Sequence, residues 1–224
     1  MSCNYLSSNF QMPIIINRTN PCRDMFAGQL SNGQYIANNQ RYQNPDAYAI
    51  DYNSSSISYN LNNPNRFQNN ILVCILESPH RDEYLINPNA NWGYAAMGQA
   101  GKWFDKKFYN KLSQNHSNIA IGTYDVVLLN SVQFQCSKGL RPLNGTVRDK
   151  NWNCMINNNQ VYGDLLKRIR MLHPQYVINL CTKGNINLRL ILHTKLMQNC
   201  ILHGANYTYG CHPSSWFSPN SSIY

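Results

Sequence analysis

Acidic residues are scarce in this chain. Ten Asp and Glu stand against 19 Lys and Arg among 224 residues, a net charge of +9 with the histidines neutral. The surplus comes from missing acids rather than added bases, and its natural counterpart is a polyanion. Charge of either sign is low, 13% of residues where an ordinary globular chain carries about 25%. Asn, Ser, Gln and Tyr fill the space. Aromatic residues at 12% exclude a disordered chain. No apolar run approaches the roughly 18–20 residues of a membrane-spanning helix, so no membrane association is expected. Met1-Ser2-Cys3-Asn4 has neither a basic start nor an apolar run after it, and no secretory leader is legible. The eight cysteines contain no Cys-x-x-Cys and the six histidines no His-x-x-x-His, which argues against a zinc site. Cys74 falls inside an apolar run and Cys181 at the end of another, where a lone cysteine serves as a small buried hydrophobe. A reducing cytoplasm is the expected compartment.

What is present sharpens from residue 70 onward. Residues 1–69 are rich in Asn, Tyr, Ser and Gln, with short strands expected at 12–16 and within 48–61. They form an expected N-terminal extension packed on a core of residues 70–224. Residues 71–76 are a continuous apolar run, the mark of a strand buried on both faces of a parallel sheet. Further strands are expected at 126–129, 176–180 and 205–209. Helices are expected at 101–112, 161–172 and 187–198. The alternation predicts an α/β fold: three layers, α/β/α, around a central, mostly parallel four-stranded sheet. Ligands of such sheets sit outside the carboxyl ends of the strands. Polar clusters follow each strand: Glu77-Ser78-Pro79-His80, Asn130-Ser131, Thr182-Lys183-Gly184 and His212-Pro213-Ser214.

Four of these segments resemble, in order, motifs of the uracil-DNA glycosylase superfamily, over roughly residues 71–217. Leu76-Glu77-Ser78-Pro79-His80 is similar to the strand end written Gly-Glu-Ala-Pro-Gly or Gly-Gln-Asp-Pro-Tyr in different branches. Gly98-Gln99-Ala100-Gly101 resembles the Gly-x-Ala-Gly of the iron–sulfur branch. Val127-Leu128-Leu129-Asn130-Ser131 resembles the strand that ends in a base-reading Asn. His212-Pro213-Ser214 matches the last motif. The resemblance implies a uracil-DNA glycosylase-like fold and a monomeric enzyme that flips a base out of DNA and hydrolyses its glycosidic bond, leaving an abasic site.

That chemistry passes through an oxocarbenium-like sugar and an anionic leaving base. Glu77 is the first candidate to activate water and steady the sugar's positive charge. The family's water-activating Asp or Asn stands one place on, where this chain has Ser78, so Glu77 or His80 is expected to act instead. His212 is expected to donate to the base carbonyl as charge grows there. Asn130 offers a donor and an acceptor side by side for the base edge. Tyr94 and Ala96 stand near the family's base-stacking position, with Trp92 further back. Gly98, Lys102, Ser214 and Ser215 are candidate DNA contacts. Trp216, followed by Phe217, stands at the position of the helix-entering wedge. His80 replaces the Tyr of uracil-selective members, which implies a wider pocket for uracil or a larger modified pyrimidine, such as one of phage DNA. No cofactor is expected. Cys136 and Cys154 straddle the loop where the iron–sulfur branch places two ligands, yet a cluster needs four thiolates and Cys3 and Cys22 are no close pair. The competing readings are a DNA-binding member without catalysis and a hydrolase of free nucleosides or nucleotides.

Overall fold

The computed structural model describes residues 21–52, 58–59, 65–84, 93–136, 145–202, 204–218 and 220–224. The expected strand at 12–16, Trp92 and Cys3 lie outside them. The apolar run of residues 71–76 forms β3 (Asn70–Leu76), with every residue after Asn70 buried. It pairs on one side with β4 (Tyr124–Asn130) and on the other with β5 (Tyr176–Asn179), which in turn pairs with β6 (Asn206–Tyr209), all in parallel.

The sheet does not stop at these four strands. It is six-stranded and mixed, because β1 (Met25–Ser31) pairs antiparallel with β4 and β2 (Gln34–Ala37) antiparallel with β1. This corrects the four-stranded expectation. Asn32 and Gly33, with φ of 51° and 75°, make the two-residue turn that joins the pair. An Asn-Gly turn of positive φ matches the right-handed twist of a hairpin. Residues 25–31 and 34–37, from the stretch before residue 70, thus extend the central sheet. Of the expected strand within 48–61, the described residues show Ile50–Asp51 paired antiparallel with Ser58–Tyr59, which pairs in turn with Asn65–Arg66 in a small sheet.

Alternate residues of the strands feed two cores, as the twofold period of a strand requires. Leu72, Cys74, Leu76, Val126 and Leu128 face α1 (Gln99–Ser113) through Phe104, Phe108 and Leu112. Val73, Ile75, Val127 and Leu129 face α2 (Gly145–Asn157), α3 (Asn159–Leu172) and α4 (Leu188–Leu202). Two enclosed ionic groups hold the N-terminal strands to the helices. Arg41 donates to Asp105 of α1 at 3.0 Å, and Arg168 of α3 donates to Asp24 at 2.9 Å and to the Asn130 carbonyl at 3.2 Å. Gly101 cannot carry a side chain: an added Cβ would lie 1.6 Å from the Ala96 carbonyl oxygen. That close approach fixes the entry of α1 beside the end of β3. Among the described residues no helix is long and apolar enough to cross a membrane.

Candidate active site

The backbone of Glu77 is fixed from three directions. Its carbonyl accepts from the Val132 amide at 3.1 Å, the Ser131 hydroxyl at 2.5 Å and the Trp152 indole at 3.1 Å. Trp152 is wholly buried on α2, so the helix and the ends of β3 and β4 together set where the Glu77 carboxyl points. That carboxyl is 8% exposed and meets Arg148 of α2 at 3.4 Å. Arg148 is shared with Asp149, at 2.7 Å. Asp149 is itself buried and accepts a short bond from the Asn185 amide in the loop after β5. Burial pushes the Glu77 carboxyl up to about 7, against the pull of Arg148. A carboxylate in that range can gain or lose a proton at neutral pH.

His212 caps the short turn Pro213–Ser215. Its Nδ1 accepts from the Ser214 amide at 3.3 Å and lies 2.8 Å from the Ser214 hydroxyl. An Nδ1 that accepts leaves the proton on Nε2, so the neutral ring is a donor at its other nitrogen. Burial, and then Arg148 and Arg189, push this imidazole down to about 4. It stays neutral through the physiological range.

Glu77, Ser78, His80, Gly98, His212 and Ser214 line one cleft of about 270 Å³ outside the carboxyl ends of β3, β5 and β6. Glu83, Arg148 and Thr182 line it too. Sequence reasoning passed over Glu83 and Arg148. Glu83 is 5% exposed; its oxygens accept from the Ala96 amide at 3.1 Å and the Asn130 side chain at 3.3 Å. Burial raises its carboxyl to about 8. Nothing in Arg-Asp-Glu-Tyr marks this residue in the sequence, because a charged turn usually faces water.

No family model and no curated protein matches this chain.

Other candidates stand apart from the cleft. Asn130 is wholly buried, donates to Glu83 and Cys22, and has an Oδ1 without a partner among the described residues. It does not line the cleft; Glu83, to which it is bonded, does. Tyr94 is 2% exposed with its hydroxyl on Asp46 at 2.7 Å, and Ala96 is 1% exposed. Both are core residues, and neither offers a ring to the cleft. Trp216 is 2% exposed, stacked on Phe104 at 5.7 Å, with its indole donating to the Cys211 carbonyl. A wedge must be free to leave the protein surface, and Trp216 is not. Phe217 beside it is 71% exposed. Lys102 is exposed on the outer side of α1, and the Ser215 hydroxyl donates to the His212 carbonyl at 2.7 Å. Cys136 is buried while Cys154 is exposed. Among the described residues no three His, Cys, Asp or Glu gather as a metal site.

Proposed function

We propose that this chain is a monofunctional DNA N-glycosylase related to the uracil-DNA glycosylase superfamily. The observation that carries the reading is the meeting of Glu77 and His212, from opposite ends of the core, in one cleft at the carboxyl ends of parallel strands. A three-layer α/β/α frame around the parallel part of the sheet suits that reading. Glu77 in its ionised form takes a proton from water and faces the positive sugar; the neutral His212 donates from Nε2 to the leaving base. His212 is neutral above about 4 and Glu77 ionised above about 7, so the working pair is half formed near pH 7 and predominates above it.

The differences from the motif pattern bear on specificity. With Asn130 buried, the base edge is read by groups that line the cleft, Glu83 and His80 among them. Among the described residues no Phe, Tyr or Trp lines the cleft. A larger modified pyrimidine suits this cleft as well as uracil does. Phe217, rather than Trp216, takes the wedge role, since it is the exposed apolar side chain of that loop.

The test is base release followed by mass spectrometry. DNAs containing uracil, thymine and hypermodified cytosines of phage are incubated with wild type, Glu77→Gln and His212→Ala. The expected result is a free base and alkali-labile sites with wild type alone. Retardation of DNA with no alkali-labile site from any substrate rejects the enzyme and leaves a DNA-binding protein.

A further inference from the structure

A second cavity, of about 450 Å³, opens at the β6 edge of the sheet. Its walls are Lys183 in the loop after β5, Arg189 and His193 of α4, Tyr209 of β6, and Tyr224. It shares no residue with the cleft, yet it abuts it. Thr182 lines the cleft and Lys183 the second cavity; His212 lines the cleft and Cys211 the second cavity.

Three properties of this cavity point the same way. Its cations meet no Asp or Glu side chain among the described residues. Lys183 is exposed and has no side-chain partner among the described residues. Among the described residues the Arg189 guanidinium donates to the Cys211 sulfur alone, at 3.6 Å, and its buried Nε has no partner. No Asp or Glu belongs to the described lining. The cavity also presents aromatic faces. Tyr209 and Tyr224 are 38% and 53% exposed, with ring centroids 5.6 Å apart, and His193 supports Tyr209 edge-on at 4.8 Å. Lastly, Cys211, which takes the Arg189 contact, directly precedes the cleft residue His212.

Unpaired cations beside exposed rings suit a phosphodiester joined to a base. Phosphate is drawn to Lys and Arg, and any base can stack on a tyrosine face. A base held in a duplex is already stacked and paired, so its faces are closed to Tyr209. We propose that this cavity is a second subsite that takes one nucleotide of single-stranded DNA, its phosphate at Lys183 and Arg189 and its base on Tyr209, next to the nucleotide held in the cleft. The order of the two nucleotides rests on the glycosylase reading; the affinity for a single strand does not.

Fluorescence anisotropy with a labelled mixed-sequence single strand and the matching blunt duplex tests this. Wild type binds the single strand more tightly. Tyr209→Leu, which keeps an apolar side chain and removes the ring, weakens single-strand binding roughly tenfold and leaves duplex binding unchanged. Lys183→Gln weakens it less and lowers the slope of log affinity against log salt by about 0.7, the value of one phosphate contact on a single strand. Unchanged thermal midpoints show that both variants are folded. Single-strand affinity unaltered in both folded variants, or lost equally for duplex, overturns the subsite. Binding lost in the variants while wild type releases no base keeps the subsite and rejects the enzyme. Base release with unaltered variant binding does the reverse.

Discussion

Arg168 on α3 and Arg148 on α2 each meet a carboxyl at the sheet, and their surroundings could hardly differ more. Arg168 is 5% exposed on its side chain and Asp24 is fully enclosed. Asp164 at 2.8 Å and the Asn130 carbonyl take the remaining guanidinium donors, and the Tyr52 hydroxyl donates to Asp24. All three guanidinium nitrogens and both Asp24 oxygens are engaged within the fold, so the group fixes structure. Arg148 is 24% exposed and divides itself between Asp149 and Glu77. The Glu77 contact is the longer, and the carboxyl keeps a midpoint of about 7 beside an open cleft. The same ionic pair stabilises a fold when closed and leaves a usable acid or base when left half open.

The contrast can be broken at either end. Glu77→Gln removes the proton acceptor and keeps the shape, so base release in single turnover falls by roughly 10²–10⁴-fold. The urea midpoint does not fall, because an amide needs less solvation than a carboxylate. Arg168→Leu strands Asp24 in the interior and lowers folding stability by about 3–5 kcal/mol in urea titration. Trp216→Ala, which empties the stack on Phe104 and Phe108, costs a similar ~3–5 kcal/mol. Phe217→Ala next to it changes stability by less than ~0.5 kcal/mol and acts instead on DNA affinity. A Trp216→Ala protein of undiminished stability contradicts its core placement.

Smaller effects sharpen the comparison through pH. Base release by wild type rises through about pH 7 as Glu77 ionises. Arg148→Gln removes the cation that draws this carboxyl down, so the acid limb of the rate profile moves to higher pH. A limb that stays in place shows that Arg148 does not set the charge of Glu77. Folding stability carries the smallest signal. Glu77 and Glu83 rise from 4.5 in the unfolded chain to about 7 and about 8 when folded. Between these values the unfolded state holds fewer protons, so stability falls as pH rises from about 4.5 to about 8. His212, lowered from 6.5 to about 4, acts oppositely: it adds stability as pH rises from 4 to 6.5 and nothing further above that. A decline in stability from pH 6.5 to 8 is therefore the acids' own. Glu83→Gln flattens it in denaturation curves taken across that window.

Much of the frame is legible in the residues. The run of residues 71–76 suits a strand buried on both faces, and β3 covers it. Helical spacing of Leu165, Ile169 and Leu172 places them inward on α3. What escaped has identifiable reasons. Helix α2 mixes Asn, Lys and Asp with Trp152, Met155 and Ile156 and shows little apolar period, so Arg148 had no element to stand on. The β1–β2 hairpin carries an Asn32-Gly33 turn signal, yet its strands alternate too weakly to be noticed. Glu83 matters because of burial, which four polar neighbours in sequence do not announce.

Chemistry-bearing residue types at strand ends, the basic balance and the alternation of strand and helix belong to the sequence by itself. Apolar period and local turn chemistry act over a few residues and need no partner. The number of strands, the exclusion of Asn130 and Trp216 from the cleft, and the entry of Glu83 and Arg148 were decided only by tertiary structure. Those outcomes depend on which side chains lose water when distant segments pack, and a carboxyl's proton affinity follows that loss rather than its neighbours in the chain.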